Sequence, residues 1–152
     1  MTDTFTVDAA RALGGPAWLA DRRVAAAEQL ASISWPTAEQ EVWRYSRIGE
    51  LDLERYRPFA EAELGRPGDE RAPGGGPWAA EAGHHAGMIV VRDGRVVHHE
   101  LDPALEAKGV RVCGIATCED EEVRDVLGAA SRTSEDAFTV LHDAFLAGGA
   151  FI

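Results

Sequence analysis

Two cysteines, Cys113 and Cys118, come closest to a pattern able to do chemistry, with His98 and His99 upstream of them. Four residues separate the thiols, a wider gap than Cys-x-x-Cys but inside the broad range over which zinc gathers ligands. Cys113, however, falls on an expected strand and Cys118 just past the cap of the following helix, and the sequence has no second cysteine pair. Small, partly buried residues are therefore the favoured reading of both, and two cysteines make no disulfide framework. His98 and His99 are neighbours on an expected strand, so they point to opposite faces and are poorly placed to share one ion. His84-His85 falls in a glycine- and proline-rich stretch and reads as a solvated pair.

The remaining candidates are weaker. His142-Asp143 suggests a general base with its orienting acid, but adjacent helical residues diverge by about 100° and no Gly-x-Ser-x-Gly elbow accompanies them. Gly74-Gly75-Gly76 follows no expected strand and opens no expected helix, so a linker suits it better than a phosphate cradle. Lys108 is the only lysine, and no Gly-x-x-x-x-Gly-Lys precedes it. Glu41, Arg44 and Arg47 surround Trp43, where ion pairs and cation–π contacts that hold an aromatic cluster fit better than a ligand. No catalytic, cofactor-binding or metal-ligating residue is expected, and no enzyme.

Caps and breakers outline the elements that would position these residues. Thr6 opens a helix through Leu13, which Gly14-Gly15 stops. Pro16 suits the first position of a second helix, where its missing N–H is harmless. On that helix Leu19, Ala26, Leu30 and Ile33 recur at helical spacing. Thr37 and Gln40 form a capping box after Pro36, predicting a third helix from Ala38 into Arg44 or beyond. Leu51, Leu53, Tyr56 and Phe59 carry no assignable period. From Ala60 to Ala86 glycines and prolines break every period and predict a flexible linker.

Met88–Val91 and Arg95–His99 flank Asp93-Gly94, the signature of a two-residue type I′ hairpin. That turn would pair Val91 with Val96, Val90 with Val97 and Ile89 with His98. Val110–Ile115 reads as a third strand, and Thr117 with Asp120 caps a helix ending near Gly128. A last helix begins at Thr133 or Ser134, with Asp136 favourably near its N-terminus. Phe138, Leu141 and Phe145 make its apolar face, and Gly148-Gly149 end it. Phe151-Ile152 reads as the start of a further strand.

At 152 residues and 45% apolar, the chain is long enough for one domain with a real core. A formal net charge of −11 argues against nucleic acid and anionic membrane as partners, because phosphates would be repelled. Met1–Val7 has neither a basic nor an apolar signal region, and no run approaches the ~18 apolar residues of a membrane helix. The expected location is cytoplasmic.

Aromatic side chains, 7% of the chain, are concentrated between Trp35 and Tyr45, where Trp43 and Tyr45 are expected to anchor the N-terminal helices. Trp35-Pro36-Thr37 followed by Glu41-x-Trp43-Arg44-Tyr45-Ser46 resembles the N-terminal region of the SufD family, scaffold subunits of the SufBCD iron–sulfur cluster assembly system. The resemblance extends to Trp18-Leu19 with Arg22-Arg23, to Asp93-Gly94, to Asp136-Ala137-Phe138-x-x-Leu141-x-x-Ala144-Phe145, and to Gly149-x-Phe151-Ile152. It implies a right-handed β-helix beyond this region and SufB-like and SufC-like partners that dock mainly outside it. The implied function is a non-catalytic scaffold module without cofactor or metal, and no cluster-binding residue carries over.

The expected fold is α+β: N-terminal helices, a small antiparallel β-hairpin or sheet, and two C-terminal helices, truncated before the family's β-helix. Its parts are a helical segment 1–59, a linker 60–86, and a segment 87–152 in which the last helix covers the hairpin. The competing functional expectations are a small metal-binding or redox protein using Cys113, Cys118 and a histidine, and a stand-alone adaptor.

Overall fold

The Thr6 hydroxyl decides where the first helix starts. Its Oγ1 accepts from the Ala9 amide at 3.1 Å, and α1 runs Val7–Ala12 with Leu13 closing it. Gly14 and Gly15 then turn the chain at φ 67° and 97°, a region costly for any side chain. Pro16 stands one residue outside α2, Ala17–Leu30, as its N-cap rather than its first residue. The computed structural model describes residues 4–58, 83, 85–92, 94–119, 121–127, 129 and 136–152. The expected linker therefore lies outside the described residues except at Gly83, His85 and Ala86. The fold is mixed α+β, and it divides into two compact units, Met1–Phe59 with Gly128–Leu146, and Ala60–Leu127 with Ala147–Ile152.

In the first unit α2 packs against α1 and against α5, Ala137–Ala144. Ala10, Ala26, Ala27, Leu30, Val140 and Ala144 form the core, with Ile33, Trp35 and Phe145 packed against it. Alanines on the facing surfaces let the backbones approach, so a few larger side chains fill the remaining space. Each fully buried leucine, such as Leu19, contributes about 1.5–3 kcal/mol. Asp136 is the N-cap of α5, its Oδ1 accepting from Phe138 at 2.8 Å and Thr139 at 3.0 Å. It therefore precedes the helix instead of sitting inside its first turn, and Thr133 and Ser134 lie outside the described residues. This helix, the one expected to cover the hairpin, packs on α2 within its own unit.

The expected third helix is absent: residues 38–46 form successive turns. Half of the capping box is made, the Thr37 amide donating to Gln40 Oε1 at 3.4 Å. The backbone then closes in three-residue steps, Trp43 N to the Gln40 carbonyl at 2.9 Å and Ser46 N to the Trp43 carbonyl at 3.0 Å. Such tight turns satisfy the cap without propagating a helix. Two short 3₁₀ helices follow, Ile48–Glu50 and Leu53–Arg55, over the stretch that carries no period.

The second unit is built on strand pairs. β1, Gly87–Arg92, and β2, Arg95–Leu101, form an antiparallel hairpin across Gly94, whose φ is 79°. Asp93 lies outside the described residues. Val91 faces Val96 as expected, but a bulge between Val90 and Val91 then shifts the register. Val90 pairs with His98 and Ile89 with His99, leaving Val97 as the extra residue and correcting the expected Val90–Val97 and Ile89–His98 pairs.

Asp102 caps a one-turn helix, α3, Pro103–Glu106, that the sequence reading passed over although Asp-Pro is a start signal. The third strand is only Cys113–Gly114, β3, and it pairs with β4, Ala150–Phe151, in a sheet of its own. Thr117 is not the cap of the next helix: it ends a 3₁₀ turn, Ile115–Thr117, its hydroxyl donating to the Gly114 carbonyl at 3.2 Å. α4 follows as Glu121–Val126, with Asp120 and Gly128 outside the described residues. No helix among the described residues is long and apolar enough to cross a membrane.

Candidate functional site

The strongest site is where β3 leads into the Ile115–Thr117 turn. Cys113 is held on β3 opposite Phe151, and the Ile115 amide donates to the Gly149 carbonyl at 2.9 Å. Gly114 presses its backbone against β2, where a Cβ would meet Val96 at 3.2 Å. The turn closes as the Cys118 amide donates to the Ile115 carbonyl at 3.4 Å, which carries the chain back over itself. Its result is that Cys113 Sγ and Cys118 Sγ stand 2.8 Å apart as two partly buried thiols.

Both cysteines line a cleft of about 710 Å³, shared with His99, Glu100, Glu106 and Arg111. A tetrahedral zinc at ~2.3 Å from each sulfur would hold the two sulfurs about 3.8 Å apart. The observed spacing is tighter, closer to the ~2.05 Å of a disulfide. Among the described residues no group of three or more His, Cys, Asp and Glu side chains could hold a metal ion. What the arrangement can do is exchange two electrons as a dithiol.

A second polar group lies on the hairpin. His85, on the loop that leads into β1, is partly exposed and tied at both ring nitrogens: its Nε2 donates to Glu100 Oε1, and its Nδ1 donates to the Gly83 carbonyl at 2.9 Å. With acceptors at both ring nitrogens the imidazolium is favoured. The bond to Glu100 first, and the one to Gly83 second, raises the His85 pKa above its ordinary value. The same bond to His85 lowers Glu100. His98, two residues before Glu100, adds a longer contact at 3.7 Å. His99 lies in the wall of the thiol cleft, and His84 is outside the described residues.

The other sequence candidates separate into structural roles. Asp143 does not orient His142 but pairs with Arg22 at 2.6 Å, and His142 is exposed. Arg44 pairs with Glu41 at 2.7 Å and Arg47 with Glu50, all on the surface. Trp43 tilts against Phe138 at 5.5 Å and Trp35 meets the same ring edge-on at 5.7 Å. Tyr45, by contrast, is 89% exposed and anchors nothing. Lys108 is exposed, and Gly74-Gly75-Gly76 lies outside the described residues.

Sequence reading also passed over Arg23. It is 0% exposed, four residues after Leu19 on the buried stripe of α2. Its Nε donates to the Leu146 carbonyl at 2.7 Å and its Nη1 to the Gly14 carbonyl. Those carbonyls follow the C-terminal ends of α5 and α1, where helix dipoles favour a cation. The available signal was position: a long cation exactly in step with Leu19, Ala26 and Leu30 has to reach a polar partner from inside. In comparison with known proteins, no family model, no curated protein and no solved structure matches the chain.

Proposed function

We propose that the chain is a non-catalytic, SufD-like scaffold module of iron–sulfur cluster assembly, acting in the cytoplasm beside SufB-like and SufC-like subunits. The observation that carries this reading is where the resembling blocks meet. Trp35, Trp43 and Phe138 come from two distant stretches of the resemblance and share one aromatic cluster. Arg22, from a third stretch, ties Asp143 on the same helix as Phe138. The cluster gives these blocks a shared packing role, which supports reading them as parts of one non-catalytic structural module.

The experiment has two arms. Tagging the native gene product and purifying it gently is expected to bring SufB-like and SufC-like subunits with it. Incubating the chain with iron, sulfide and reductant is expected to leave no stable cluster absorbance, and the chain is expected to hydrolyse no ATP. Absence of both partners, or a stable cluster lost in the Cys113→Ser, Cys118→Ser double variant, would overturn the reading.

A further inference from the structure

The Cys113–Cys118 pair has no part in the scaffold reading and stands independently of it. We propose that these two thiols are a redox-active dithiol that exchanges with a low-molecular-weight disulfide, such as oxidised glutathione, admitted through the adjoining cleft.

Three observations carry this. The sulfurs lie 2.8 Å apart, so a shift of less than about an ångström brings them to bonding distance. The backbone on both sides of the pair is fixed, by the β3–β4 ladder before the turn and by the Thr117 and Cys118 bonds within it. Ring closure therefore needs little new ordering, which is the advantage of a preorganised intramolecular reaction. Finally, both sulfurs border a cleft of about 710 Å³ and are only partly buried, so a reagent can reach them. A structural pair sealed in a core has no such opening.

The chemistry balances without a metal. One cysteine, as thiolate after losing its proton to water, attacks a sulfur of oxidised glutathione. A mixed disulfide forms and one glutathione thiolate leaves. The second cysteine, losing its own proton, attacks the protein sulfur of the mixed disulfide and expels the second glutathione. The protein pair is oxidised by two electrons, and the glutathione disulfide is reduced to two thiols that recover the two protons. Reduced glutathione in excess reverses both steps.

The test uses the full chain. Reduced protein is incubated with oxidised glutathione, quenched with acid, treated with N-ethylmaleimide and weighed intact. The expected product is a monomer lighter by two hydrogens that takes up no maleimide, and dithiothreitol restores two maleimide adducts. Cys118→Ser is expected to stop at a stable single glutathionyl adduct. Internal disulfide formation is expected to be about tenfold or more faster in the folded chain than in the same chain in concentrated urea. Because the wild-type mass decides the matter, a variant that folds poorly does not spare the proposal. It is overturned by two maleimide adducts persisting in excess oxidised glutathione, by two glutathionyl adducts on the wild type, or by equal closure rates with and without urea. One zinc ion retained per chain that shields both thiols from maleimide would likewise overturn it, in favour of a metal site.

Discussion

The unit of α1, α2 and α5 and the unit of β1 to β4 meet the problem of a small core in different ways. The first buries Leu13, Leu19, Leu30 and Val140 among alanines, and the buried charge of Arg23 ends on helix-terminal carbonyls. In the second, the buried apolar side chains among the described residues are Ile115 and Val123, beside an Arg95 that is only 4% exposed. Ladder bonds and short turns hold that unit, and most of its described side chains are half-buried or exposed. The difference explains where chemistry can occur. Close helix packing leaves side chains no room to meet a reagent, whereas a strand unit with little core leaves two thiols and the His99 imidazole along the walls of a cleft.

Arg23→Ala should break the helical side of this comparison most severely. Two charge-assisted bonds from a fully buried side chain disappear and the Gly14 and Leu146 carbonyls lose a donor, so the expected loss is about 3–5 kcal/mol, read from urea unfolding. A loss under about 1 kcal/mol would mean that water replaces the guanidinium and that the unit is less tightly closed than described. On the strand side, Gly87→Ala would place a Cβ 2.9 Å from the Glu100 carbonyl oxygen. Backbone must move to admit it, at about 1–3 kcal/mol, and amide exchange should quicken along β1 and β2 while α1 and α2 stay protected.

Trp43→Ala sharpens the comparison at the edge of the helical unit. The ring is half-buried against Phe138, so the expected cost is about 1–2 kcal/mol, less than a fully buried tryptophan would lose. Tyr45→Ala should change stability by no more than about 0.5 kcal/mol. Equal losses in the two variants would show that residues 38–46 pack as the expected helix after all.

The smallest effect is electrostatic and belongs to the hairpin. His85 should titrate above the ordinary imidazole value of about 6.5 in an NMR pH series, and Glu100→Gln should bring its midpoint down. The sign follows from the shifts. His85, raised by Glu100 and then by Gly83, contributes fully below its unfolded pKa, and the contribution fades as pH rises through the raised folded value. Glu100, lowered by His85, contributes above its own unfolded pKa and loses that as pH falls through its lowered folded value. The pair therefore steadies the hairpin most in the mildly acidic range between.

Much of the fold was legible because local chemistry dictated it. Thr6, Gly14, Gly15 and Pro16 bound α1 and α2, and Gly94 marks the hairpin whatever the rest of the chain does. The misses were decided at longer range or by alternatives of nearly equal local energy. Thr37 and Gln40 satisfy a cap equally well in a run of turns, and the ring contacts to Phe138 are made across the chain. The bulge at Val97 and the pairing of Cys113 with Phe151 have no local signature. The thiol site has none either: strand and cap positions predict separated cysteines, and the turn at Ile115–Thr117 brings their sulfurs together. Arg23 was hidden by its type, since arginine reads as surface until its phase along the helix is followed.

The Arg22–Asp143 and Arg23–Leu146 bonds join residues 121 and 123 positions apart. That span dictates an order of events on the ribosome. At ~5–20 residues per second, α2 is made several seconds before α5 exists. During that delay Leu30 and its neighbours present an uncovered apolar stripe to chaperones, and the guanidinium of Arg23 stays in water. The β1–β2 ladder, whose strands are joined by a tight turn, has all its partners long before. Birth order thus departs from assembly order: the helices written first are the ones whose packing must wait for partners 121 and 123 positions downstream.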